Sequence, residues 1–255
     1  VVDNRPGGSY LIGAQQLAQA PADGNTLLHL NSSMVAAQGT FQRFDMLKQM
    51  ATIGMMGTTP GALFVNANSP INSVKDLLDW IRANPGKLNY GAITGGVEHL
   101  QVINWLRRHN LTGTMVAFKG GPDTVTALAQ NEIHMALSAL PLVIPFKGKI
   151  KPIAIWTDQR APMTPDVPTF REQGLGDIPE LNYWGSLAAP AGTPAAAIAA
   201  LNKTMVEVMK VPALVAKFAA QGMLAKTSSP EAMVKIITDE LKWISPLAAE
   251  LNLKG

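Results

Sequence analysis

A chain of 255 residues, 47% hydrophobic and 15% charged, can bury one large core or two medium ones. The net charge is only +3, no Lys/Arg run forms a stripe and aromatics make up 6%, which argues against a nucleic-acid partner. Cysteine is absent, excluding disulfides, thiolate metal sites and thiol catalysis, and no apolar run is long enough to span a membrane as a helix.

In chain order, Leu27-Leu28-His29-Leu30 is the first short apolar run of the kind that marks a buried parallel strand. Asn31, Ser32 and Ser33 follow it. In a parallel sheet these hydroxyls reach the carboxyl end of the strand, where ligands gather; helix capping competes for them. Ala62-Leu63-Phe64-Val65 reads as a second such strand, or as part of an extended crossing from Ala62 to Pro70. Ser73 then caps a helix carrying Val74, Leu77, Leu78 and Ile81, which Asn84-Pro85-Gly86 stops.

From Lys87 to Leu100 a short strand enters a turn rich in Gly and Thr, and a helix opens directly after it. Glycines let backbone approach a bound group, and a helix start presents unpaired N–H donors to an anion. Ala92, Thr94, Gly95 and Gly96 therefore form a candidate carboxylate or phosphate cradle, although such turns are commonly structural. His99, in the first turn of the helix, can donate to a ligand carboxylate or cap local backbone. Met115-Val116-Ala117-Phe118 and Lys119-Gly120-Gly121-Pro122 repeat the logic of strand end, glycine turn and helix start. Lys119 would supply charge near an anion, or is a surface lysine beside a tight turn. Ser138 follows the run Ile133 to Leu137 in an equivalent position. Ile153-Ala154-Ile155-Trp156 is a further strand, and Pro165 to Thr169 a rigid structural turn.

A second extended crossing runs from Asn182 to Pro190; Tyr183 and Trp184 on it can pack against a ligand or fill an interface between lobes. Thr193-Pro194 and Ser229-Pro230 each place a cap before a proline at the first helical position. The first helix would bury Ile198, Leu201, Met205 and Val208, and the second Val234, Ile237 and Leu241. Strand–helix alternation of this kind predicts α/β layers with mostly parallel sheets. No nucleophile elbow, Walker loop, dinucleotide fingerprint or zinc-protease helix is present, and the four histidines are far apart. The reading is of a binding protein with no catalytic residue, metal or cofactor. An enzyme on a two-lobed scaffold is the competing class.

In this order Val1-Val2-Asp3-Asn4-Arg5-Pro6-Gly7-Gly8, Pro21-Ala22-Asp23-Gly24-Asn25-Thr26, Ala83 to Gly91, Phe118-Lys119-Gly120-Gly121, Pro165-Asp166-Val167-Pro168-Thr169 and Leu187 to Pro194 cover essentially the whole chain. Together they resemble the Bug-type (TctC-like) solute receptors of tripartite tricarboxylate transporters. The resemblance implies a two-lobed periplasmic binding protein fold of type II kind. Lobe 1 would be residues 1–66 and 185–255, lobe 2 residues 67–184, with two hinge crossings. It implies a monomeric periplasmic receptor that captures a small organic carboxylate, either a dicarboxylate or an aromatic carboxylate, between its lobes. The receptor would deliver this ligand to membrane transporter subunits; a sensory receptor serving a signalling partner is the alternative. Family members carry a further strand, loop and helix ahead of the segment matching Val1, so the chain is expected to be incomplete at its N-terminus with its signal peptide absent. Where the family offers several hydroxyls this chain has Ala92, Ile93 and Val97, with Thr94 the only hydroxyl. Where members often have Asp-Asn it has Ser138-Ala139. A less polar pocket is expected, suited to a carboxylate with an apolar body; a weakened site fits as well.

Overall fold

The computed structural model describes residues 1–5, 10–175 and 179–253, so the Pro6-Gly7-Gly8 part of the first motif lies outside the described residues. The chain divides into two compact units, unit 1 being Val1–Thr58 with Trp184–Gly255 and unit 2 Thr59–Tyr183. The sequence alone places the boundaries at 66/67 and 184/185. Each boundary between the units lies inside a strand, the first within the Gly57-Thr58-Thr59-Pro60-Gly61 stretch of β2 and the second within β7, so neither is a separate linker.

The elements are α1 (Leu11–Ala18), β1 (Leu28–Asn31), α2 (Ser32–Phe41), α3 (Met46–Gln49), β2 (Met50–Asn66) and α4 (Val74–Ala83). Then come β3 (Asn89–Ala92), α5 (Val97–Arg108), β4 (Thr114–Ala117), α6 (Gly121–Ala129), β5 (Met135–Ala139), a 3-10 helix over Leu140–Phe146 and β6 (Ile150–Ile155). The chain ends with β7 (Asn182–Pro190), α7 (Ala195–Val208), α8 (Pro212–Ala220), β8 (Leu224–Ala225) and α9 (Pro230–Glu250).

Unit 2 holds an open sheet in the order β6-β2-β5-β3-β4. Ala62 to Val65 are its centre, paired antiparallel with β5 on one side and β6 on the other, so they form a strand and not a crossing. The strand is far longer than its apolar run suggests, because Gly54, Gly57, Pro60 and Gly61 interrupt the pattern that a strand normally shows. β3 runs parallel to both β4 and β5. In unit 1, β1 pairs antiparallel with β7 and β8 antiparallel with β2. The sheets are therefore mixed and not mostly parallel: short apolar runs report burial on both faces, which an antiparallel strand under helices shares. It follows that Ser32 and Ser33 do not lie at a parallel strand end.

The unit 2 core joins Phe64, Val125, Leu128, Ile133, Leu140, Ile150 and Ile155, while Trp105 meets Trp156 and Phe170 edge-on with ring centroids 6.2 Å apart. In unit 1, Ile53, Ala189, Ile198, Met205 and Met209 pack together. Ser73 caps α4 by accepting from the Asp76 N–H at 3.1 Å, and Ser229 caps α9 by accepting from the Ala232 N–H at 3.2 Å. At α7 the expected cap is not made. Pro194 is itself the cap residue, and the Thr193 hydroxyl donates to the Pro190 carbonyl at 2.8 Å. Val208 is exposed, and the buried stripe of α9 is Met233, Ile237, Ile244 and Ala248, with Val234 outside it. The stripe follows the contact with α2 and not the outermost apolar residues. Among the described residues no helix is long and apolar enough to cross a membrane.

Candidate functional site

Because β3, β4 and β5 are parallel, their carboxyl ends share one edge of unit 2, and the turns that follow them meet there. Ala92 is the buried last residue of β3. Thr94 is exposed, Gly95 takes a φ of 70° that a side chain rarely adopts, and Gly96 is the cap residue of α5. Two donors expected for an anion are already used within the turn. The Gly95 N–H donates to His99 Nδ1 at 3.1 Å, and the Gly96 N–H donates to the Ile93 carbonyl at 2.9 Å. His99 is buried and therefore supports the turn through Nδ1; burial lowers its pKa, which keeps the ring neutral with its proton on Nε2.

After β4, Lys119 is exposed, Gly120 is the cap residue of α6 and Gly121 opens the helix with Pro122 in its first turn. The Thr124 hydroxyl donates to the Gly120 carbonyl at 3.0 Å and the Thr126 hydroxyl to Pro122 at 2.7 Å, which holds the start of α6. A Cβ on Gly121 would lie 2.7 Å from Leu142 Cδ1 and 3.0 Å from Ser138 Oγ, so this turn rests directly on the end of β5.

Ser138 is buried, and its hydroxyl bonds the Tyr183 phenol oxygen. The Tyr183 hydroxyl in turn donates to Glu98 Oε1 at 2.8 Å. Glu98 lies in the first turn of α5, where a negative group complements the helix ends together with Arg107 and Arg108 in the last turn. Burial pushes the Glu98 carboxyl upward, against smaller downward pulls from its own backbone N–H and from Tyr183. Burial first and then the Glu98 charge push the Tyr183 phenol well above its ordinary value.

Unit 1 contains the remaining predicted residues. Asn31 caps α2, its side chain accepting from the Met34 N–H at 3.1 Å, and Ser32 is the buried first residue of that helix with Ser33 partly exposed beside it. In the register of β1 with β7, Asn31 lies opposite Gly185, one residue from Trp184. Trp184 is buried, and its indole N–H donates to Glu240 Oε1 at 2.6 Å. Burial drives the Glu240 carboxyl up to about 7, with the Trp184 bond pulling the other way. The polar handle of Trp184 is thus committed to a carboxyl within its own unit.

The structure therefore brings Ala92, Thr94, Gly95, Gly96, His99, Lys119, Gly120, Gly121 and Ser138 to one sheet edge, and places Ser32, Ser33 and Trp184 in unit 1. Sequence reasoning missed Glu98. An acid in a first helical turn looks like an ordinary dipole partner, and only its contact with Tyr183, 85 residues away, sets it apart. Among the described residues no group of three or more His, Asp or Glu could hold a metal.

Open mixed sheets under helices, with glycine turns collected at one parallel edge, are shared with solved periplasmic binding proteins. The chain belongs to the tripartite tricarboxylate transporter family receptors, which it matches over residues 1–253. It is 28% identical to protein BugT of Bordetella pertussis, covering all of this chain and 80% of the relative. Among solved structures, Rpa4515 of R. palustris with adipate shares 28% identity with a TM-score of 0.86, covering 98% of this chain and 86% of that one. The periplasmic binding protein BugD, at 21% identity and a TM-score of 0.82 over all of this chain and 87% of its own, shares the fold.

Proposed function

We propose that this receptor works in the periplasm, where it holds a small organic carboxylate on the parallel edge of unit 2 and presents it to the membrane subunits of its transporter. The observation that carries the reading is the convergence of two glycine turns and the Ser138 hydroxyl on one edge, with α5 and α6 opening directly after the adjacent parallel strands β3 and β4. With Gly95 and Gly96 donating inside their own turn, the start of α6 with Lys119 is the better place for the ligand carboxylate. A charge-assisted bond there contributes about 1.5–3 kcal/mol, so a few of them suffice for micromolar binding at about 8 kcal/mol. The adipate held by the Rpa4515 relative supports an acid as ligand.

Native mass spectrometry of freshly purified protein, followed by calorimetry with the acid it releases, tests this. A retained small carboxylate whose affinity falls at least tenfold in Lys119→Ala is expected. A protein that binds no carboxylate from a broad panel, or that converts one to product, overturns the reading.

A further inference from the structure

The turn after β3 already contains a carboxylate of the protein's own. Glu98 stands in the first turn of α5, bonds its own backbone N–H, and places Oε2 only 3.1 Å from where a Cβ on Gly96 would be. A carboxyl this close to the Gly96 turn occupies the place at the helix start where an anion would otherwise be favoured. The Gly95 and Gly96 amides offer it no compensation, since the Gly95 N–H is given to His99 and the Gly96 N–H to Ile93. Behind Glu98 the donors are also arranged to serve it, with Ser138 bonding Tyr183 and Tyr183 donating to Oε1 at 2.8 Å. A carboxylate has about four acceptor positions, and these contacts leave some of them for a ligand, which would have to supply the hydrogen. A second carboxylate set against Glu98 would instead face a like charge in a partly dry setting, the arrangement in which two acids cannot both ionise.

We propose that Glu98 selects the ligand of this receptor: the bound acid carries one carboxylate, and the group that meets Glu98 is a hydrogen-bond donor such as a hydroxyl, an amide or an ammonium, and not a second carboxylate. The proposal rests on the carboxylate-receptor reading above and narrows it. Tyr183 is the positioning residue, because it holds the Glu98 carboxyl in one orientation from within the same unit.

The test is calorimetry at pH 8 with straight-chain acids of three to six carbons in three matched sets: the dicarboxylate, the ω-hydroxy acid and the ω-amino acid. The native receptor should bind its best hydroxy or amino acid at least tenfold more tightly than the dicarboxylate of equal length. Glu98→Gln, which keeps the side chain's shape and removes its charge, should bind the dicarboxylate at least tenfold more tightly than the native protein does and lose its preference for the ω-amino acid. Should that variant fail to fold, Glu98→Ala provides the same comparison. Equal affinity for dicarboxylate and donor-bearing acid in the native protein, or a preference unchanged in the variant, overturns the assignment while leaving a carboxylate receptor in place. Absence of binding by all three sets, joined to a panel of aromatic acids that also fails, removes the receptor reading and this inference with it.

Discussion

Tyr183 and Trp184 are consecutive, yet each gives its polar hydrogen to a carboxyl in a different unit: Tyr183 to Glu98 at 2.8 Å in unit 2, Trp184 to Glu240 at 2.6 Å in unit 1. Both carboxyls are pushed upward by burial, so each unit holds an acid whose charge is costly and whose donor offsets part of that cost.

Removing one of these donors should be felt in stability. Trp184→Phe keeps an aromatic ring at the buried position, trims its volume and leaves Glu240 without its donor. A loss of about 1–3 kcal/mol is expected in urea unfolding. A denaturation midpoint equal to that of the native protein would show that Glu240 finds another partner.

Glu240 also makes stability depend on pH. Its carboxyl titrates at about 7 in the folded protein against an ordinary 4.5. Between those values the folded state binds the extra proton, so stability is full below about 4.5 and declines as pH rises towards 7. The difference amounts to roughly 3 kcal/mol by linkage. Melting temperature measured from pH 4.5 to 8 should therefore fall in the native protein and fall less in Glu240→Gln. Parallel curves for the two proteins would assign the pH dependence elsewhere.

The turn after β3 should be sensitive for reasons of backbone alone. Gly95→Ala places a Cβ on a residue with φ of 70°, at a cost of about 1–2 kcal/mol. His99→Ala removes the acceptor of the Gly95 N–H and should cost about 1–3 kcal/mol on top of lost packing. Combining both changes should cost less than the sum, because they disturb one hydrogen-bonded turn; strict additivity in chemical unfolding would mean the two residues act independently.

The contact between α2 and α9 depends on Gly39. A Cβ there would lie 2.4 Å from Ile244 Cγ2, closer than any relaxed contact. Gly39→Ala should destabilise by about 1–3 kcal/mol through overpacking, and Ile244→Val, which trims the facing side chain, should restore part of the loss in the double variant. If Gly39→Ala melts like the native protein, the helices move apart more easily than their packing implies.

By itself the sequence determined what depends on neighbours along the chain. The strand–turn–helix order around Gly95 and Gly121 and the caps of Ser73 and Ser229 were legible in it. So was the family, since ordered motifs over the whole chain are more specific than any one of them. The tertiary structure alone decided direction and partnership. Ala62 to Val65 have the same apolar run whether paired parallel or antiparallel, and the glycines of β2 hide a strand that only its neighbours on both sides reveal. The buried face of α9 was set by α2, which moved it from Val234 to Met233 and brought Glu240 under the Trp184 indole. Above all, the amides of Gly95 and Gly96 look free in sequence, because a helix start does not say which acceptor lies nearby. Folding supplied His99 Nδ1 and the Ile93 carbonyl for them, and placed the phenol of Tyr183 against Glu98 from 85 residues away, a contact no local pattern encodes.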